Sequence, residues 1–172
     1  GKIALNWKVD ADNLLYVFAA RGYKPGGFNS VDEHFDPEIV MNYEAGWKAT
    51  LLAGKVRTQL AFFYNDYSDF QFDVLEPATG QGGIRNVSNG TIQGVEAQLE
   101  AQLDAFAFDA GFAYVDSDLD GFSFVNERRL PPGNLGPQCA DGTPSSPPLC
   151  FDYAPFMTTI SGGPNLYSPE WT

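Results

Sequence analysis

Basic residues are scarce in this chain of 172 residues, which holds 10 Lys and Arg against 22 Asp and Glu and carries a formal net charge of −12. A protein that neutralises the phosphates of nucleic acid needs a basic face, so nucleic acid is excluded as a partner. Histidine and cysteine are also scarce, with one and two residues. Because a lone His34 without a partnered Ser or Cys does not make a nucleophilic site, the sequence predicts no enzyme.

Long apolar runs are missing as well, since no stretch approaches the roughly 20 residues that a membrane-spanning helix requires. Aromatic and turn-forming residues are abundant, with 14 Phe, 8 Tyr, 3 Trp, 18 Gly and 12 Pro. This composition favours an all-β protein with many turns. If the protein lies in a membrane, its strands must cross it.

Alternating polar and apolar residues predict long strands. Residues 94–103 read GVEAQLEAQL, and residues 43–51 repeat the pattern with Tyr43, Ala45 and Trp47 on the apolar face. Runs of about ten alternating residues suit a strand tilted across a bilayer. In residues 14–23 we expect the more apolar face to consist of Leu14, Tyr16, Phe18 and Ala20.

Short and long connections alternate between the predicted strands. Short turns are expected at residues 10–13, 53–54 and 104–105, and long loops at 24–37, 73–88 and 118–168. Up-and-down membrane barrels place short turns on the periplasmic side and long loops on the outer side. We predict an antiparallel up-and-down transmembrane β-barrel, here a fragment of about six strands with long extracellular loops. A soluble β-sandwich that binds glycans or proteins and a passive porin are the alternatives.

Five segments carry further information when they are taken in order. They are YVFAARGYKPGGFN at residues 16–29, PE with NYEAGWK at 37–48, AFFYNDY at 61–67, NVSNG with IQGVE at 86–96, and YSPEWT at 167–172. In this order they resemble the motifs of TonB-dependent outer-membrane receptors, a family of siderophore and nutrient receptors. The resemblance covers nearly the whole chain.

The resemblance implies that residues 1–172 are part of the C-terminal barrel of such a receptor, without its plug domain and terminal strand. Six strands cannot close a barrel of about 22 strands, since strand number fixes the diameter. The family implies the outer membrane of a Gram-negative bacterium and energy-coupled uptake of a ferric siderophore or similar large nutrient. The implied partners are outer-membrane lipid, that cargo, and TonB, which contacts an N-terminal region absent from this chain.

Cations and aromatic residues at the predicted outer strand ends are candidates for cargo binding. Arg21, Lys24 and Arg85 offer charge-assisted hydrogen bonds to an anionic ferric chelate, and Tyr23 and Phe28 offer rings that stack against it. As alternatives, the cations balance neighbouring carboxylates, and the rings belong to the aromatic girdle at the bilayer edge.

A calcium-loop spacing lies in the last predicted loop. Asp116, Asp118, Asp120 and Glu127 fit the pattern D-x-D-x-D-G-x5-E, which surrounds a hard cation with carboxylates. The flanking sequence lacks the helices of that motif, so the alternative is a solvated acidic strand end. Apart from this calcium, no cofactor is expected.

Two cysteines lie in the same predicted loop, eleven positions apart, at Cys139 and Cys150. In a segment that faces an oxidising exterior, two cysteines are most simply a disulfide. Metal ligation is the weaker alternative, since the sole histidine lies in another loop and no second pair of cysteines exists. We therefore predict the disulfide.

Overall fold

The computed structural model describes residues 1–31, 33–133, 135–140, 150–160 and 162–164. Among these residues, the strands are β1 Lys2–Lys8, β2 Asn13–Lys24, β3 Gly27–Phe28, β4 His34–Phe35, β5 Glu38–Leu51, β6 Val56–Glu76, β7 Gln81–Leu103, β8 Phe106–Leu119, β9 Phe122–Val125, β10 Met157–Ile160 and β11 Gly163–Pro164, and the two short 3-10 helices are Glu127–Arg129 and Ala154–Phe156. Seven strands form one open, antiparallel sheet in the order β1-β2-β5-β6-β7-β8-β11, accompanied by the two-stranded ribbons β3-β4 and β9-β10. In the described part of the chain, no helix is long and apolar enough to cross a membrane.

The β6-β7 hairpin is longer than the sequence predicted. β6 has 21 residues and β7 has 23, about twice the nine to eleven that cross a bilayer. The prediction of a loop at residues 73–88 is wrong for most of that segment, because the two strands stay paired up to Glu76 opposite Gln81. The turn that joins them closes when Thr79 N and Gly80 N donate to Glu76 O, with Gly80 at a φ of +68°.

The strand register gathers the apolar side chains on one side of the sheet, here called the apolar face. One row across six strands reads Trp7, Leu15, Trp47, Leu60, Ala97 and Phe112, and the next reads Leu5, Val17, Ala45, Phe62, Val95 and Tyr114. Many of these side chains are exposed, for example Trp7 at 62% and Phe62 at 54%. An exposed apolar surface of this extent marks a contact with lipid or protein.

The expected apolar face of β2 is wrong. The register pairs Leu15 with Trp47 and Val17 with Ala45, whereas Tyr16 pairs with Gly46 and Phe18 with Glu44. Because residues that pair directly point to the same side, Leu15 and Val17 lie on the apolar face and Tyr16 and Phe18 on the other. Nearly every residue in this part of β2 is apolar, so the neighbouring strand decides the side, as register generally does.

The opposite side of the sheet, here called the polar face, carries most of the charged and amide side chains. Two of its aromatic rings lie over glycines of the next strand. The Tyr16 ring covers Gly46, and the Phe63 ring covers Gly94, so that a Cβ at either glycine would meet the ring. Tyr16 also donates its hydroxyl to Glu44 Oε1 at 2.7 Å. The other polar side chains of this face include Lys48, Arg57, Gln59, Glu96, Gln98 and Glu100.

Two irregularities interrupt the β6-β7 pairing between Tyr67 and Gln71, where Asp69 has a φ of +57°. The first inserts an extra residue into β6 and the second an extra residue into β7, so the alternation of side chains along β6 reverses once. Phe70 and Phe72 therefore follow Tyr67 on the side of the polar face, and their ring centroids lie 5.5 Å (Tyr67 to Phe70) and 5.1 Å (Phe70 to Phe72) apart. Beyond the bulges, the aromatic side chains thus lie on the side that is polar in the rest of the sheet.

Candidate functional site

Five aromatic rings form a continuous series at the long end of the hairpin, here called the aromatic row. It begins with Tyr67, Phe70 and Phe72 of β6 and continues into β9, where Phe122 lies 5.2 Å from Phe72 and 5.5 Å from Phe124. All five side chains are half-buried. Such a surface can pack against the apolar or aromatic part of a ligand, since offset and tilted ring contacts are favourable.

A pocket of about 270 Å³ opens beside the aromatic row. Among the described residues, its lining combines apolar side chains of β6, β7, β9 and β10 with one cation. That cation, Arg85, pairs with Glu76 Oε2 at 3.1 Å. The lining includes Val74, Val87, Phe122, Phe124, Val125 and Met157.

The β9-β10 ribbon holds its half of the aromatic row against β6. Val125 is 2% exposed, and the Ser123 and Thr159 hydroxyls form a hydrogen bond of 2.7 Å across the ribbon. Asn126 N donates to Phe156 O at 2.9 Å, just beyond the strand pairing. The position of Phe122 is thus fixed by packing and by backbone bonds, which makes the row a preformed surface.

A small lobe around the disulfide docks on the tip of the hairpin. Cys139 and Cys150 are joined, with their Cα atoms 4.9 Å apart, as the sequence predicted. Gln138 N donates to Pro77 O at 2.6 Å. The fully buried Tyr153 donates its hydroxyl to Gly136 O at 2.7 Å, and its burial raises the pKa of the phenol. The lobe and the β6-β7 turn therefore form one packed unit.

Amide side chains attach the connection between β2 and β5 to the same hairpin. The Asn29 amide donates to Ile84 O at 2.8 Å and accepts from Ile84 N at 2.9 Å. Asn86 Oδ1 accepts from Asp36 N at 2.7 Å, and Gln71 Nε2 donates to Asp36 O at 3.0 Å. The sequence showed no periodic signal for these contacts, because each joins positions more than 30 residues apart.

The structure brings one of the predicted cargo-binding cations, Arg85, to the pocket beside the aromatic row. Arg21 and Lys24 lie exposed at the end of β2. Contact between these three cations and a ligand stays a prediction. The alternative was that each cation balances a neighbouring carboxylate, and Arg85 is paired in this way with Glu76.

The two predicted aromatic contacts lie outside the aromatic row. Tyr23 is 72% exposed and Phe28 is 77% exposed. The Phe28 ring is 6.4 Å from the ring of His34 in the β3-β4 ribbon. Contact of these two rings with a ligand stays a prediction. The sequence did not reveal the five rings of the aromatic row, because the bulges and the β9 contact are not visible in the pattern.

The carboxylates of the calcium spacing do not converge. Asp116 and Asp118 lie in extended β8, where Asp116 accepts from Gln93 Nε2 at 3.1 Å, and Glu127 begins a 3-10 helix beyond Asp120. In the part of the chain that the structure describes, no three His, Cys, Asp or Glu residues lie close enough to hold a metal ion. A calcium loop wraps its ligands around the ion, so calcium binding here stays a prediction without geometric support.

Comparison with known proteins places this sheet in a family. A family model described as "TonB dependent receptor-like, beta-barrel" matches residues 1–148. The chain belongs to the TonB-dependent receptor family. Proteins of this family are transporters and not enzymes, and the open seven-stranded sheet is part of their β-barrel. The family assignment favours the receptor over the β-sandwich and porin alternatives.

Several curated receptors are similar to this TonB-dependent receptor chain. The ferric-pyoverdine 358 receptor of Pseudomonas putida is 28% identical over 71% of the chain and 17% of its own length. The pesticin receptor of Yersinia enterocolitica is 28% identical over 80% of the chain and 20% of its own length. The metal-pseudopaline receptor CntO of Pseudomonas aeruginosa is 28% identical over 69% and 16%. The chain thus spans about a fifth of the length of these relatives, and no solved structure shows a significant match.

Proposed function

We propose that the whole protein is an outer-membrane receptor of a Gram-negative bacterium, which imports a ferric siderophore or similar large nutrient with energy passed through TonB. Family membership supports the receptor role. Two of the similar proteins are named as receptors for ferric pyoverdine and for metal-pseudopaline, which supports a metal chelate as the cargo.

The observation that carries the proposal concerns β6, whose large apolar side chains lie mainly on one side of the sheet in its first half and on the other side in its second half. Between Val56 and Tyr64 the large apolar side chains other than Phe63 lie on the apolar face, where hydrocarbon covers them, and the polar face lines a watery interior, as in membrane barrels. Beyond Tyr67 the aromatic row lies on the interior side. A barrel built this way holds an aromatic surface at its entrance, above the bilayer.

The connections give the sheet its direction in the membrane. Tight turns join β5 to β6 and β7 to β8, whereas the extended hairpin, the disulfide lobe and the β2-β5 connection lie at the opposite end. Short turns of such barrels face the periplasm and long ones face outward. The aromatic row therefore lies at the extracellular end of the barrel, where cargo arrives, and a disulfide is stable in that compartment.

Uptake by the full-length receptor tests this function. A Gram-negative strain without its own siderophore receptors, expressing the protein, is expected to accumulate a radiolabelled ferric chelate only when TonB is present. Phe72→Ala removes the central ring of the row and is expected to lower uptake at limiting chelate about tenfold, as truncation of a buried aromatic contact does. The control is Phe108→Ala on the apolar face, where Phe108 is 57% exposed.

Two outcomes would contradict the proposal. Equal accumulation with and without TonB would refute energy-coupled import. Equal uptake by the Phe72→Ala protein, the Phe108→Ala protein and the unchanged receptor would remove the aromatic row from the cargo path.

A further inference from the structure

We propose that the cargo bound at the aromatic row is a ferric chelate of zero or positive net charge, and not a polyanionic one. This inference rests on the proposed function and names its substrate class. It follows from the charges at the row, from the charges around it and from the chemistry of the rings themselves.

The single cation among the described residues of the pocket lining has its charge balanced. Arg85 Nη1 lies 3.1 Å from Glu76 Oε2, and the Glu76 side chain is 19% exposed. An ion pair of this kind leaves little net positive charge for a ligand. A chelate with several negative charges is normally bound by a cluster of unpaired guanidinium or ammonium groups, and the described part of the pocket lining holds no such cluster.

A carboxylate lies near the other end of the row. Glu38 Oε2 accepts from Gln71 N at 2.9 Å, next to Phe70 and Phe72 in sequence. Burial, and then the negative charge of Glu38, raise the pKa of the Tyr67 phenol. Tyr67 therefore stays a neutral ring in a locally negative field.

The segments that form the outer end of the sheet are acidic as a whole. The described residues within 21–38, 65–91 and 116–164 contain 12 Asp and Glu against five Lys and Arg. Charges of one sign around a cleft raise the local concentration of ligands of the opposite sign and repel ligands of the same sign. Since screening at physiological salt acts over about 8 Å, part of this field reaches a ligand at the row.

The ring faces themselves favour the same ligand class. An aromatic face carries the negative end of the ring quadrupole and attracts cations within about 6 Å, and apolar ligand groups pack against it. A chelate with an apolar backbone and a protonated amine satisfies both requirements. A trianionic chelate meets neither requirement, because it would stay solvated above a neutral aromatic surface at the acidic outer end of the sheet.

Titration of the full-length receptor in detergent with two ferric chelates tests the inference. The probes are a ferric trihydroxamate that carries a protonated amine and a trianionic ferric tris-catecholate, which share the metal and its octahedral oxygen shell. At low salt, we expect the cationic chelate to bind at least about tenfold more tightly than the tris-catecholate. Added salt is expected to narrow this difference in affinity, because it screens the charges at the outer end of the sheet.

A variant shifts the preference in the opposite direction. Glu76→Gln frees the Arg85 guanidinium and is expected to strengthen binding of the tris-catecholate severalfold. The matched control is Glu100→Gln, the same change on the polar face of β7 near its other end, which is expected to leave both affinities unchanged. Tighter binding of the tris-catecholate by the unchanged receptor would overturn the charge assignment alone. Binding of neither chelate would overturn the proposed function and this inference with it.

Discussion

Replacing Ala97 by Arg places a charge in the middle of the apolar face. The apolar face has five cross-strand rows from the row of Leu51 to the row of Tyr43, and Ala97 lies in the third of them. Its neighbours in that row are Leu60 and Phe112. An arginine on the lipid side of a membrane barrel costs about 2–4 kcal/mol at the midplane. Alanine leaves no cavity when it is replaced, so this cost is almost entirely that of the charge. About 3 kcal/mol corresponds to a roughly 150-fold shift of the folding equilibrium.

The neighbouring position supplies the control, because Gln98 lies on the polar face, paired with Gln59 and next to Glu96 and Glu100. Gln98→Arg is expected to change stability by less than about 0.5 kcal/mol. The assay is the urea concentration at which half of the full-length receptor is folded in lipid vesicles, read from heat-dependent gel mobility. Equal midpoints for Ala97→Arg and Gln98→Arg, or a lower midpoint for Gln98→Arg, would refute the assignment of the faces.

Two further predictions concern packing and pH. Gly46→Val is expected to destabilise the receptor by about 1–3 kcal/mol, as overpacking does, because the new side chain meets the ring of Tyr16. The control in the same urea assay is Gly111→Val, since a side chain at Gly111 enters open space. Equal urea midpoints for the two variants would refute the contact between Gly46 and the Tyr16 ring. Burial raises the pKa of Tyr153, so the folded lobe binds the phenolic proton more tightly than the unfolded lobe does. The stability that this proton contributes is expected to be complete below about pH 10, the ordinary pKa of tyrosine, and to be lost as the pH rises through the raised pKa. Limited proteolysis of the lobe between pH 8 and 12 measures this loss, and a Tyr153→Phe protein whose lobe shows the same pH profile would show that the phenol is not its cause.

Much of the regularly alternating part of the sheet could be predicted from the sequence. The alternation of residues 43–51 and 94–103 gave the correct faces of β5 and β7, because polar and apolar residues there alternate without exception. The same reasoning gave the wrong face for β2, where Leu14 to Ala20 are all apolar or aromatic. In such a stretch only pairing with β5 decides the side, and pairing is not a local property.

The outer end was harder to predict for physical reasons. Pro77, Gly80, Gly82 and Gly83 indicated a loop, yet β6 and β7 stay paired through the two later glycines. The bulges near Asp69 and the contact between Phe72 and Phe122 depend on tertiary packing across 50 residues. The disulfide was predictable, since two cysteines in one segment leave a single pairing. The amide contacts of Asn29 and Asn86 were not, because nothing in the local sequence marks their partners.

In the proposed barrel, β6 faces hydrocarbon with one set of side chains and water with the alternate set between residues 56 and 64. Spin labels attached to single cysteines at Thr58, Leu60 and Phe62, and at Gln59 and Ala61, in the full-length receptor in lipid vesicles test this arrangement most directly. Oxygen, which concentrates in lipid, is expected to relax the labels at 58, 60 and 62, and a water-soluble nickel complex is expected to relax those at 59 and 61. Equal accessibility of both sets to the nickel complex would contradict this arrangement.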